Sequence, residues 1–412
     1  MPKGWERKSS KLTVMARLAL VSTLLALCLV WSLNWRAEAR IRQHTKSVVL
    51  EPAEGKEHVV VTGGAGFIGS HAALRLLEQG HAVTVVDNLS RGNAGALLKL
   101  RDLAKRKRFR WVMVDLGDRH AVMRALAHAK PLPSLVMHFA AVAYVAESMA
   151  DPVLYYKNIT STTTFLLDVM RELGIKQLVY SSTCAVYGNQ EVLPITELSP
   201  PKPINPYGEA KLMAERVINA AMKADSSLQA IILRYFNVYG SDPQGRLGEW
   251  PRPELRHHSR ISGACLDAAM GLVPSVTIKG TQHPTADGSC VRDYVHVSDL
   301  VEAHLRAMQH LDNPAPVLNI GSGHPVSVKQ FVAACKNVTG RDFKVVEQAE
   351  ARQGDYAEVW AKIDRIQEAF EWSPRYTDVV EGLRHAWQWR LRHPQGYEKH
   401  SDDSMADGHD IS

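Results

Sequence analysis

The chain is expected to fold as an α/β protein built on a doubly wound parallel sheet. Three observations predict this. A β-branched run at 59–61 passes through Gly63-Gly64-Ala65-Gly66 into a stretch with helical apolar spacing (Phe67, Ile68, Ala72, Leu74, Leu76, Leu77). Strand-like and helix-like segments then alternate as far as residue 235. Helices of that length between strands imply a parallel sheet with both faces covered.

Residues 1–17 are basic (Lys3, Arg7, Lys8, Lys11, Arg17), and 18–35 are apolar apart from Ser22, Thr23, Ser32 and Asn34. Eighteen such residues just suffice for a helix to span a bilayer. The leading charges favour a cytosolic N-terminus with the body on the far side. Ala37-Glu38-Ala39 resembles a signal-peptidase site, but the apolar run exceeds a signal core of about 7–15 residues. The expectation is a cytosolic tail at 1–17, a single-pass anchor at 18–35 and a polar stem at 36–57.

The first strand and helix are followed by a second strand at 81–86, a third at 110–115 and a fourth at 135–139. A helix is expected over 152–173, with Leu154, Phe165, Leu166, Val169 and Met170 facing inward. Then come a strand at 177–181, a helix at 206–222 and a strand at 229–235. This nucleotide-binding half, of the Rossmann type, is placed at 58–240. From 241 the pattern loosens around Gly245, Gly248, Pro251 and Pro253. Residues 241–397 are read as a smaller α/β substrate-binding domain that lends elements such as 317–320 to the sheet. The polar stretch 398–412 reads as a disordered tail.

Composition excludes some functions. Hydrophobic content of 45% and charged content of 22% are those of a globular protein. The net charge of +6 comes from one end: residues 1–50 hold nine of the 49 Lys and Arg and two of the 43 Asp and Glu. The remainder carries 40 against 41, so the body has no nucleic-acid footprint. The five cysteines (28, 184, 265, 290, 335) lack metal-ligand spacing and read as isolated buried thiols, with no metal expected.

The glycines carry the first chemistry. Gly63 and Gly66 let the backbone turn and approach a pyrophosphate at a helix N-terminus, while Gly69 lets helix and strand pack closely. Asp87 ends the second strand 18 residues past Gly69, where a carboxylate can hold both hydroxyls of an adenosine ribose. Strand, glycines, helix, strand and terminal acid together imply a bound dinucleotide. The acid favours NAD over NADP, with Arg91 the nearby cation that could instead meet a 2′-phosphate.

Tyr207 and Lys211, four apart at the start of a helix, share one face. A free phenol has a pKa of about 10, and acting as a base near neutrality needs about 4 kcal/mol of help. A cation about 4 Å away at an effective dielectric near 20 supplies about that much. Thr183, closing Tyr180-Ser181-Ser182-Thr183, can bond the same substrate oxygen and pass its proton to Tyr207.

Thr62-Gly-Gly-Ala-Gly-Phe-Ile-Gly69, Asp115-Leu116, His138-Phe-Ala-Ala141, Ser181-Ser-Thr183, Tyr207-x-x-x-Lys211 and Arg234-Tyr-Phe-Asn237 resemble the extended short-chain dehydrogenase/reductases, and among them the nucleotide-sugar 4-epimerases. The likeness runs from about residue 58 to 397. It implies one NAD retained through turnover and a nucleoside-diphosphate sugar as substrate. By resemblance, Gly63, Gly66, Phe67, Ile68, Gly69, Asp87, Asn88, Asp115, Leu116, Phe139, Ala140 and Asn158 line the cofactor, with Lys211 on its ribose and Tyr235 against its nicotinamide. Asn237 would meet the substrate's phosphates. Arg292 and Arg352 would hold the diphosphate and Asp355 the uridine ribose, as a dianion wants arginine forks.

Related dehydratases and decarboxylases place acids after the residue matching Thr183, where this chain has Cys184 and Ala185. Gly245-Arg-Leu-Gly-Glu249, Pro251-Arg-Pro-Glu-Leu255 and Arg260-Ile-Ser-Gly-Ala-Cys265 are similar to the plant-type uridine-diphosphate (UDP)-arabinose 4-epimerases. That implies interconversion of UDP-xylose and UDP-L-arabinose in the Golgi lumen, behind a type II anchor. A UDP-glucose/UDP-galactose 4-epimerase is the alternative, and the family often forms homodimers. Of the sequons at Asn88, Asn158 and Asn337, only Asn337 is expected to accept a glycan, because the other two fall at cofactor contacts.

Overall fold

The structure is a computed structural model that describes residues 48–104, 107–312 and 317–397. The expected tail, anchor and most of the stem, and the tail at 398–412, lie outside the described residues. No helix among the described residues is long and apolar enough to cross a membrane. Everything below concerns the compact unit that begins at Val49.

Seven parallel strands form the main sheet: β1 (His58–Thr62), β2 (Ala82–Asp87), β3 (Phe109–Met113), β4 (Leu135–His138), β5 (Gln177–Thr183), β6 (Gln229–Tyr235) and, from the C-terminal half, Val317–Ile320. Their spatial order is β3-β2-β1-β4-β5-β6, with Val317–Ile320 beyond β6. Order reverses between β1 and β4, so the crevice above them is the natural ligand site. All five residues of β1 are buried, as in a strand covered on both faces. Helices α1 (Phe67–Glu78), α2 (Ala94–Leu103), α3 (Arg119–Ala127), α4 (Thr162–Leu173) and α5 (Pro206–Ala224) make the crossovers.

Two expectations need correction. The helix foreseen over 152–173 is broken by a π-helical turn, Tyr156–Ser161, and only α4 continues beyond it. The wider turn shifts the phase, so Leu166, Val169 and Met170 are buried but Phe165 is 38% exposed. The third strand ends at Met113, which leaves Asp115 in the following loop, whereas β5 runs on to Thr183.

The C-terminal half is interleaved with the first. Strand β7 (Asn237–Tyr239) leaves the main sheet and pairs with β8 (Val291–His296), which also pairs with Pro325–Ser327 and Glu358–Val359. Asp293 in β8 is fully buried and accepts from Ser322 N (2.6 Å), Ser322 Oγ (2.7 Å) and Ala361 N (3.2 Å), pinning the neighbouring loops. A second core gathers helix α6 (Ile261–Ala269), Val276–Lys279, α7 (Val328–Thr339) and α8 (Val379–Arg392). Cys265 and Cys335 are not isolated there: their buried thiols adjoin, and the second thiol pushes the first's pKa up.

Candidate active site

One cavity runs over the C-terminal ends of β1, β2, β3, β4 and β6, and all fifteen residues expected to hold the cofactor line it: Gly63, Gly66, Phe67, Ile68, Gly69, Asp87, Asn88, Asp115, Leu116, Phe139, Ala140, Asn158, Tyr207, Lys211 and Tyr235. Gly63 has φ +70°, and a Cβ there would sit 2.7 Å from the Ala140 backbone. A Cβ on Gly69 would overlap the Gly63 carbonyl oxygen, so close packing of α1 on this turn requires glycine. Gly66, at φ −79°, is the N-cap of α1 and lines the cavity, offering the helix no side-chain bond. Phe67 and Ile68 line the cavity at that uncapped N-terminus, where N–H groups suit a phosphate.

The acids are held ready by the backbone. Asp87 accepts from Ala65 N (2.9 Å) and Leu89 N (2.8 Å), while burial pushes its pKa up. Each oxygen keeps a further lone pair for a ribose hydroxyl. Asp115 takes Asn88 Nδ2 on one oxygen (2.8 Å) and Gly117 N on the other (2.7 Å). Asn158 accepts from Val142 N (2.7 Å), which fixes its amide and frees its NH₂ for the cavity. Arg91 is engaged by Glu147 at 2.6 Å, so it is not free to meet a 2′-phosphate beside Asp87. An uncapped helix end, a cradle only glycine permits and two anchored acids fit NAD.

The reacting end is built by β5 and α5. Asn205 caps α5 by accepting from Gly208 N (2.9 Å), and Pro206 at the first helical position sets the turn that carries Tyr207. Asn205 Nδ2 also donates to Tyr356 Oη (2.8 Å) and Gly354 O (3.1 Å), tying this turn to the 352–356 loop. Thr183 Oγ1 accepts from Ala185 N (3.1 Å), and its hydroxyl reaches the Tyr207 phenol. Ser181 Oγ donates to Tyr235 Oη (3.0 Å).

Burial raises the Tyr207 pKa strongly, and the Thr183 hydroxyl and Arg260 pull it partly back down. Lys211 Nζ donates to Ser181 O at 2.7 Å and lies over the Tyr180 ring (4.9 Å). Desolvation lowers its own pKa to about 7, against a partial pull upward from Glu215.

Thr183, Asn237, Arg292, Arg352 and Asp355 are not part of this cavity wall. Arg292 Nη2 and Asp355 Oδ1 pair with each other at 2.5 Å, and Arg292 Nη1 donates to Val291 O (2.9 Å). Arg352 is exposed. Sequence reasoning missed Arg260, Glu249, Trp250 and Tyr397, all of which line the cavity. Arg260 Nη1 donates to Glu249 Oε1 (3.1 Å), and its charge reaches Tyr144, Tyr207 and Tyr235.

Residues 59–321 match the NAD dependent epimerase/dehydratase family. The chain is 51% identical, over 85% of its length and 86% of the relative's, to a probable UDP-arabinose 4-epimerase 3 of Oryza sativa subsp. japonica. It is 48% identical, over 93% of its length and 90% of the relative's, to UDP-arabinose 4-epimerase 1 of Arabidopsis thaliana. Among solved structures it is similar to the UDP-glucose-4-epimerase of Stenotrophomonas maltophila with bound NAD and formylated UDP-arabinopyranose. That likeness has a TM-score of 0.76 and 32% identity, covering 82% of this chain and 99% of the other.

Proposed function

The chain belongs to the NAD-dependent epimerase/dehydratase family, and from that premise we propose that it inverts carbon 4 of a UDP-sugar, interconverting UDP-xylose and UDP-L-arabinose through a 4-keto intermediate. The observation that carries the chemistry is Tyr207, buried in the nucleotide cavity wall with the Thr183 hydroxyl on its phenol. The similarity to UDP-arabinose 4-epimerases supports the pentose.

NAD, which the cavity residues Gly63, Gly69, Asp87 and Asn158 would hold, would supply a hydride acceptor and donor at C4. The protein's own groups manage the proton and the pose. Tyr207 takes the proton from the 4-hydroxyl, and Thr183 bonds the same oxygen and relays it. Burial alone opposes a phenolate, so the proton can leave only while a positive partner is close; Arg260 is the cation of this chain that pulls in that direction. Lys211, bonded to Ser181 O, and Asn158 line the same cavity, which supports a role for Lys211 at the cofactor ribose. Arg292, Arg352 and Asp355 take the UDP, which requires Arg292 to exchange its Asp355 partner for phosphate. Asn237 meets the phosphates from the start of β7. Cys184 and Ala185 supply no acid for elimination, and the Cys184 thiol is pushed up to about 12 by burial.

A second reading, epimerisation of UDP-glucose and UDP-galactose, is favoured by the likeness to a UDP-glucose-4-epimerase that holds a pentose nucleotide. One missing hydroxymethyl typically changes recognition by only a few kcal/mol, so activity on both is compatible with one pocket.

The same proposal includes a type II anchor at 18–35, placing 58–397 in the Golgi lumen. The uncharged, mainly apolar run and the basic residues before it support this. It also includes a homodimer, since pairing would cover the exposed Phe165 of α4 and Met213 of α5.

Incubation with UDP-xylose and no added NAD, with products resolved by chromatography, tests the function. UDP-arabinose should appear up to an equilibrium mixture. Unchanged UDP-xylose together with turnover of UDP-glucose would leave the hexose reading; release of carbon dioxide from UDP-glucuronate would replace both.

A further inference from the structure

We propose that Tyr397 is a positioning residue whose phenol latches the 248–260 segment over the nucleotide cavity and sets how long NAD stays bound. The inference rests on the NAD-binding reading above. The 248–260 segment contains one short 3₁₀ turn, Pro253–His258, yet it supplies Gly248, Glu249, Trp250 and Arg260 to the cavity wall. A segment with so little internal hydrogen bonding must be held from outside.

Tyr397 holds it. The chain leaves α8 at Arg392 and turns through Gly396, whose φ is +63° and where any side chain would overlap the Trp250 indole. The Tyr397 ring then inserts so that only 7% of the residue is exposed. Its hydroxyl donates to Gly248 O (3.0 Å) and accepts from Gly248 N (3.1 Å), satisfying both backbone groups of one lid residue. The opposite side of the residue packs on Gly95 of α2, so closely that a Cβ on Gly95 would overlap it.

The phenol therefore joins two sides of the same cavity. Gly248 belongs to the C-terminal lid, whereas α2 follows Asp87 and Asn93 on the adenosine side. Parting the lid from α2 has to break either both hydrogen bonds to Gly248 or the packing of Tyr397 on Gly95. Without the hydroxyl, a buried N–H and C=O lose their partner, so opening no longer has to break that pair of bonds.

The test compares the parent with Tyr397→Phe and Tyr397→Ala. Bound nucleotide is quantified after denaturing extraction, and its loss is followed over time by gel filtration. Melting in saturating NAD reports folding separately. The parent should keep its nucleotide, Tyr397→Phe should release it about tenfold faster, and Tyr397→Ala faster still. Variants that hold NAD as long as the parent overturn the latch, even if they melt lower. Should the alanine variant not fold, the phenylalanine variant decides, since it keeps the ring. A parent that neither carries nor binds NAD contradicts the cofactor reading itself and removes the premise.

Discussion

Tyr207 is held at a turn where its phenol costs more to ionise than in water, because burial raises its pKa by more than Thr183 and Arg260 lower it. Tyr207→Phe should cut turnover by about 10²- to 10⁴-fold with NAD still retained; near-normal initial rates would remove the residue from the reaction. At this scale the cofactor side was readable: glycines, a terminal acid and a Tyr-x-x-x-Lys pair sit at strand ends that one chain segment defines. Arg260, Glu249 and Trp250 were not, because nothing local marks them. They reach the cavity through packing between segments distant in sequence, and Arg260 shows its role only through its bond to Glu249 and its reach toward Tyr207. Spacing likewise places Tyr207 and Lys211 on one face of α5 but does not show that Lys211 Nζ bonds Ser181 O.

Among the elements, the β1–α1 turn is the most constrained. Gly69→Ala should destabilise the protein by about 1–3 kcal/mol and lower nucleotide content, since its methyl would meet the Gly63 oxygen; a denaturant titration with bound-nucleotide assay reads both. Strands of the main sheet were legible because parallel, doubly covered strands read as continuous β-branched runs. The π turn at Tyr156–Ser161 was not, as helical spacing persists on either side of it and only the phase changes. On α7, Asn337 is exposed, whereas Asn88 and Asn158 are partly buried in the cavity wall. In protein made through the secretory pathway, peptide mass spectrometry should find glycan on Asn337 alone; occupied Asn158 on active enzyme would contradict the site.

Taken as a whole, the molecule should be sensitive to acid. Burial lowers the pKa of His58 and His304 to about 4 and of His138 and His296 to about 3. These rings are neutral when folded, and the unfolded chain takes up protons first as pH falls below about 6.5. Stability is therefore full above that value and is lost toward pH 4, at about 1.4 kcal/mol per unit for each histidine. Urea midpoints measured from pH 7 to 4.5 should fall steeply; a flat profile would mean the rings are not held neutral. The two-halved body was legible in outline, including the loan of Val317–Ile320 to the main sheet, but the departure of β7 to pair with β8 depends on strand pairing that no local pattern encodes. The central claim is that the hydrogen removed from carbon 4 is the one returned to it. UDP-xylose deuterated at C4, incubated in ordinary water with no added NAD, should yield UDP-arabinose that keeps its deuterium; product carrying a solvent proton at C4 would contradict the account.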